Sequence, residues 1–357
     1  MPEPKLPNIE PGISLCCQVD PDVSDDFLTF LNQIGVHHAY AWFKPEQYNY
    51  EFLSRFRDRL NGRGVALYNA GAVHLAKSRK IILGLDGRDE DVQAFSEALT
   101  MLAKVGVHTT TFTWEPDGVW ASDWEYPTRG GALTRRCDIS VLEGRELLPE
   151  KRYTQIPINN AEFNLTGFTQ GRFYTRDELW RNYEYFVKRV LPVAEERGVR
   201  LALHPNDPPV ESVGGVPCLI RNFDDFRRAF SVVESDFLGM EFCCGCWLET
   251  PETFGDVYRA IEEFARRKKI FLVHYRNVDA ALPCFVETFI DEGYGDMPAL
   301  MRAFLDSGYS GTLVMDHSPA MAGPAGRYGE AGFAYGYIRA VLQDALRAAS
   351  DGGRDRP

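Results

Sequence analysis

The chain has 357 residues, 45% of them hydrophobic and 25% charged, a globular composition with ample material for a core. A formal net charge of -12 excludes phosphate-backbone recognition as the main task, so no nucleic-acid partner is expected. No run approaches the ~20 apolar residues of a membrane span, and the opening MPEPKLPNIEPG has no apolar signal-peptide core; the eight cysteines, three crowded at Cys243, Cys244 and Cys246, are not the disulfide framework of a short secreted chain, so a cytoplasmic setting is expected.

Eight apolar runs read as strands: 13–19, 37–43, 65–71, 109–114, 199–205, 237–244, 270–278 and 311–318. Most are apolar almost throughout, as parallel strands buried on both faces should be. Glycine punctuates the helix-to-strand junctions, as in Ile34-Gly35-Val36, Val105-Gly106-Val107 and Arg197-Gly198-Val199. Glycine suits the residue after a helix because it takes positive φ without a Cβ penalty. Helical periodicity fills the intervals. Leu179, Tyr183, Phe186, Val187 and Val190 form one stripe, opened by a Thr175/Glu178 capping box. A second stripe runs through Ile338, Val341, Leu342, Ala345 and Leu346.

This alternation predicts an α/β fold, a (β/α)8 TIM barrel formed by residues 1–349 as a single domain. A doubly wound open sheet is the alternative, weakened by the lack of a dinucleotide-type glycine fingerprint. Residues 115–175 break the rhythm after strand four with a Trp-, Gly- and Pro-rich stretch. They are expected as an insertion at the C-terminal mouth, either a lid over the substrate or a packed loop. Residues 350–357 are expected to form a disordered tail.

Catalytic residues of a barrel lie at the C-terminal ends of its strands. Strand five ends in His204, strand six in Cys243, strand seven in His274 and strand eight in Asp316-His317. Singly, a strand-end His is more often structural, a buried Cys is a small hydrophobe and an Asp is a helix cap. Four such residues on consecutive strands instead form a donor set for a divalent metal of the Zn, Mn or Fe kind. Cys244 faces the other way and is the alternative thiolate if the register slips. A structural zinc site built on the CCGC cluster lacks a second Cys or His pair at matching spacing.

The motifs HPNDPP (204–209), EFCCG (241–245), VHYRNV (273–278) and MDHSP (315–319), with VHLAKSRKIILGLDGRDEDV (73–92), are similar to those of the mannonate dehydratase family. The likeness runs from strand three to the last helix. It implies a barrel related to the xylose-isomerase-like enzymes, acting on a sugar acid. Such enzymes convert D-mannonate to 2-keto-3-deoxy-D-gluconate with Mn2+ as the usual ion; Fe2+, Zn2+ or Mg2+ are alternatives. The resemblance also implies that His204, Cys243, His274 and Asp316 ligate the ion, and that His317 and Tyr335 form a catalytic pair, with Tyr328 as the alternative tyrosine. Two departures are visible. Phe285 and Glu287 match an F-x-E-x-x-H pattern, but Ile290 stands where the histidine would be. An arginine-bearing stretch after the Asp-His element is replaced by Ser318-Pro319.

Further site candidates follow from position. Arg276 and Asn277 come just after His274, and Arg276 suits a substrate carboxylate, although a salt bridge is the plainer reading. His74 closes the strand-three region. Asp207 and Glu287 are candidates for orienting ligating imidazoles. A metal-dependent sugar isomerase or epimerase is the alternative function, and a non-catalytic sugar-acid-binding protein a third. A homo-oligomer is expected only as the common habit of barrels.

Overall fold

The computed structural model describes residues 12–115, 118–142, 153–154 and 172–352. Eight parallel strands make one sheet: β1 (Ile13–Gln18), β2 (His38–Phe43), β3 (Ala66–Ala72), β4 (Thr109–Thr113), β5 (Arg200–His204), β6 (Leu238–Cys243), β7 (Ile270–His274) and β8 (Gly311–Val314). Each is followed by a helix: α1 (Asp25–Gln33), α2 (Tyr50–Asn61), α3 (Arg88–Val105), α4 (Arg176–Arg197), α5 (Phe223–Ser231), α6 (Val257–Arg266), α7 (Met297–Asp306) and α8 (Gly326–Gly352). The spatial order β3-β2-β1-β8-β7-β6-β5-β4 sets the first strand beside the last. An open doubly wound sheet cannot do this, so the barrel reading holds and the alternative falls.

The expected local chemistry is present. The Thr175 hydroxyl and the Glu178 carboxylate cap each other's backbone N–H groups at the start of α4. Gly106 and Gly198 take φ of 84° and 66° just past α3 and α4, turning the chain back toward the barrel. The ring closes differently at β3 and β4, which share no ladder among the described residues. Side chains bridge that seam: Asn69 Nδ2 donates to Thr111 Oγ1 at 2.7 Å and Thr110 Oγ1 donates to the Ala70 carbonyl at 2.9 Å.

The N-terminal end of the barrel is plugged. The Tyr68 hydroxyl donates to the Phe271 carbonyl at 2.6 Å, and Arg200 Nη2 donates to Tyr68 Oη and Thr109 Oγ1 at 2.9 and 3.0 Å. Only the C-terminal end is left to open. Of residues 115–175, the described part contributes an antiparallel pair, Asp123–Pro127 with Leu133–Asp138. Its second strand also pairs with Cys284–Val286, from the loop after β7. The lid expected for 115–175 lies partly outside the described residues. The backbone of α8 runs to Gly352, and 353–357, most of the expected tail, also lie outside them.

Asn69→Ala leaves the β3–β4 seam one buried bond short. A stability loss of about 1–3 kcal/mol is expected, read as a lower midpoint in chemical denaturation; an unchanged midpoint would show that the seam does not depend on this bond.

Candidate active site

His204, Cys243 and His274 are the last residues of β5, β6 and β7. Cys243 and His274 are register partners across the β6–β7 ladder, and His274 pairs with Val314 of β8. One rim therefore presents the three side chains at one height. Residues on a strand alternate faces, so Asp316 and His317 could not both reach the site from a continuous strand. The structure removes this conflict: β8 stops at Val314, and Asp316 adopts φ 62°. This left-handed residue, tolerable for an aspartate, turns the chain so that both residues line the same cavity.

The donors converge. Ligand atoms of Cys243, His274 and Asp316 lie within 4.8 Å of one another, as do those of His204, Cys243 and Cys246. His204 Nδ1 donates to the Pro205 carbonyl at 2.7 Å, which leaves Nε2 for the site. The Cys246 N–H donates to Cys243 Sγ at 3.5 Å. Burial raises the Cys243 thiol, but Cys246, Arg276, His204 and His274 more than offset this and hold it well below its ordinary value, favouring thiolate. His274 has Asp316 Oδ2 3.2 Å from Nδ1 and Glu241 against Nε2. Among the described residues, neither ring nitrogen, nor either oxygen of the fully buried Glu241, completes a hydrogen bond. Buried polar atoms are rarely left so. Thiolate, imidazole and carboxylate gathered in this way fit a divalent cation.

Behind the donors lies a sealed ionic network. Arg276, 1% exposed, reaches Asp316 at 2.9 Å, Asp207 at 2.7 Å, Glu249 at 2.8 Å and Glu287 at 3.4 Å. Arg135, from the Leu133–Asp138 strand, reaches Asp207 at 2.5 Å, Glu287 at 3.0 Å and Glu249 at 3.8 Å. Glu287 in turn holds His317 Nδ1 at 2.9 Å. Burial would raise the Glu287 carboxyl, yet His317, Arg276 and Arg135 bring it down to about 2. Burial and the neighbouring Asp207 push the Glu249 carboxyl up to about 8 despite both guanidiniums.

Several sequence expectations are corrected here. Arg276 is committed to four carboxylates and does not line the cavity, so it is no clamp for a substrate. Asn277 is a loop tie: its Oδ1 accepts from Val278 and Gly295, and its Nδ2 donates to the Gly295 carbonyl. His74 lies on the short helix Val73–Ala76, exposed and edge-on to Tyr48, because that turn carries it outward. Tyr335 is fully buried against the outside of the barrel, its hydroxyl donating to the Cys16 carbonyl at 2.7 Å. Tyr328 packs edge-on against Phe27 and Phe30. Neither tyrosine lines the cavity; Tyr40 does, stacked 6.1 Å from His274. Ile290 is an ordinary buried core residue.

The cavity lies at the C-terminal mouth of the barrel. His204, Glu241, His274, Asp316 and His317 line it from the β5 to β8 half of the ring; Trp42, Lys77, Thr111, Thr113 and Glu115 line it from the β2 to β4 half, where Thr113 is the register partner of His204. A groove between α3 and α4, lined by Asp89, Ser96, Tyr185 and Arg189, lies outside the barrel, away from these donors. Sequence reasoning missed Glu241, Lys77, Glu115 and Arg135. Glu241 had a signal: it is the lone charge in an apolar strand and shares a face with Cys243 two residues on. Arg135 had none, because its partners come from other segments.

A family model described as D-mannonate dehydratase (UxuA) matches residues 32–349. A mannonate dehydratase of Enterococcus faecalis is 30% identical over 75% of this chain and 77% of its own length. One of Thermotoga maritima is 28% identical over 80% and 81%. Among solved structures, mannonate dehydratase from Streptococcus suis serotype2 superposes with a TM-score of 0.76 at 21% identity, covering 95% of each chain. D-psicose 3-epimerase from Clostridium cellulolyticum H10 reaches 0.52 at 14% identity over 96% and 98%, a likeness of fold alone.

Removing one partner from a buried ion network strands the others. Arg135→Ala is expected to cost about 3–5 kcal/mol of stability, seen as an early unfolding midpoint. A wild-type midpoint would mean that the Asp123–Asp138 segment is an ornament on the site rather than part of it.

Proposed function

The chain belongs to the D-mannonate dehydratase (UxuA) family and is accordingly a carbon–oxygen lyase; from that premise we propose that it removes water from D-mannonate, giving 2-keto-3-deoxy-D-gluconate, in a site where His204, Cys243, His274 and Asp316 hold Mn2+. The observation that supports this reading is a pair of donor triads sharing Cys243, one with His204 and Cys246 and one with His274 and Asp316, beside a cavity that His317 also lines. A thiolate among two imidazoles and a carboxylate also accepts Fe2+ or Zn2+; Mg2+ is the poorest match. Glu241, against His274 Nε2, is the carboxylate that orients this imidazole.

The bound ion supplies electrostatic stabilisation for the negative charge that develops next to the substrate carboxylate. His317 carries the proton. Glu287 fixes its Nδ1, so Nε2 is the atom free to act, and it faces the cavity floor 3.4 Å from Asp316 Oδ1. His317 takes the proton from the carbon bearing the carboxylate and returns it to the hydroxyl leaving the next carbon. The C–H and C–O bonds break, a double bond forms, and water departs with both pieces; the enol so produced rearranges to the 2-keto acid. With Tyr335 bonded elsewhere, one histidine covers both proton transfers. A cytoplasmic location belongs to the same proposal, since all eight cysteines are free thiols.

The decisive experiment strips the protein of metal, restores Mn2+ and follows D-mannonate with a colour assay for 2-keto-3-deoxy acids. Activity is expected only with the ion, and His317→Asn should lower kcat by about 10²–10⁴-fold. Metal binding without product from D-mannonate would move the substrate elsewhere; failure to bind any divalent ion would end the reading. Glu287→Gln should lower kcat about 10–100-fold with KM nearly unchanged, because it releases the imidazole without touching the substrate. In the Co2+-loaded protein, Cys243→Ser should abolish the near-ultraviolet thiolate-to-metal band; persistence of the band would pass the ligand role to Cys246.

A further inference from the structure

The donor wall of the cavity is accounted for by metal and proton transfer. The other wall, from β2, β3 and β4, is not. It carries Trp42, Lys77, Thr111, Thr113 and Glu115. The Lys77 and Glu115 side chains are only 6% and 5% exposed, and their Nζ and Oε1 atoms stand 3.9 Å apart. That is an ion pair beyond hydrogen-bond reach. Glu115 Oε2 is tied down, accepting the Asp207 N–H at 2.9 Å, while Oε1 is buried with no hydrogen-bond partner among the described residues. A buried carboxylate oxygen aimed into a ligand cavity and left unsatisfied is an acceptor in search of a donor. The ammonium of Lys77 lies 5.7 Å over the Trp42 ring, so an aromatic face borders the pair. Gly71 makes room for that ring: a Cβ there would meet it at 2.4 Å. A cationic donor, a buried carboxyl group, two threonines and an aromatic face make a surface suited to hydroxyls and C–H groups, not to an anion alone.

We propose that Lys77 and Glu115 together read a hydroxyl of the substrate's polyol tail, Lys77 donating to its oxygen and Glu115 Oε1 accepting its proton, and that this pair sets the chain length the enzyme selects. The inference rests on the sugar-acid reading above: with the carboxylate and the neighbouring carbon at the donor wall, the far carbons reach this one. A site built to bond a hydroxyl discriminates strongly against an analogue lacking it, since its buried polar groups are then left unpaired.

The test compares wild type, Lys77→Met and Glu115→Gln, each loaded with Mn2+, on D-mannonate and on the four-carbon aldonate of the same configuration at C2 and C3. Glutamine keeps the acceptor for the Asp207 N–H, so Glu115→Gln preserves the loop. Each variant is expected to raise KM for the six-carbon acid by about 10–100-fold and to leave the four-carbon acid within about twofold. The Co2+ spectrum of each variant should match wild type, certifying an intact metal wall. Equal losses on both acids, or an unchanged selectivity ratio, would overturn the proposal while leaving the dehydratase reading standing. Should wild type turn over neither acid, calorimetric affinities for aldonates and ketoses of four to six carbons replace KM: a length preference abolished by either variant then sustains the pair's role although the reaction was misread, and no such preference, or no binding at all, overturns it.

Discussion

The architecture of the mouth depends on one buried cation. Arg276 lies two residues beyond β7, and its guanidinium joins Asp207 after β5, Glu249 at the end of the short helix Cys244–Glu249, Glu287 in the loop after β7 and Asp316 in the turn after β8. Charges this deep are tolerated only when fully paired, because the desolvation penalty is several kcal/mol per ion. The pairing therefore specifies position as much as stability. Space for the guanidinium is set by Gly245, where a Cβ would lie 2.2 Å from the Arg276 Cζ. The glycine of the Cys-Cys-Gly-Cys stretch is thus a clearance for arginine.

From this hub two consequences spread to the chemistry. Asp316 is held on one oxygen by Arg276 and lies beside His274 and His317, so the left-handed turn at this residue is fixed from several directions, the usual condition for backbone strain at a working site. Glu287 is shared between Arg276, Arg135 and His317. Its low pKa keeps it an acceptor, and an acceptor at Nδ1 decides which nitrogen of His317 is free. The buried ion network and the proposed proton transfer share these side chains. Arg135 adds that the segment after β4 is wired into the floor of the site, through a strand paired to the loop after β7.

The two walls of the cavity divide the labour. Strands β5 to β8 supply the imidazoles and carboxylates; β2 to β4 supply an aromatic face, hydroxyls and a loose ion pair. The first wall suits a reaction common to a family, the second the choice of substrate within it. The departures at Ile290 and at Ser318-Pro319 concern neither wall, since Ile290 is packed in the core and Ser318 and Pro319 do not line the cavity.

The sequence by itself determined the barrel. All eight strands lie where the sequence runs predicted, because strands buried on both faces are mostly apolar almost throughout, and glycines with positive φ mark turns back into them. It also determined that His204, Cys243, His274 and Asp316 share a rim, since strand ends in a barrel are one place. What it left undecided were the directions of side chains on short turns and the partners of buried charges. His74, Tyr335 and Asn277 had the right residue types near the right strands, yet a helical turn, a carbonyl of β1 and a glycine loop claim them. Arg276 looked like a substrate clamp because one sequence cannot display four carboxylates arriving from distant segments. Glu241, Lys77 and Glu115 gained meaning only when the closed sheet brought both walls to one cavity. Periodicity is a local property and is written in the chain; burial of charge is a property of the assembled interior, and only the tertiary structure decides it.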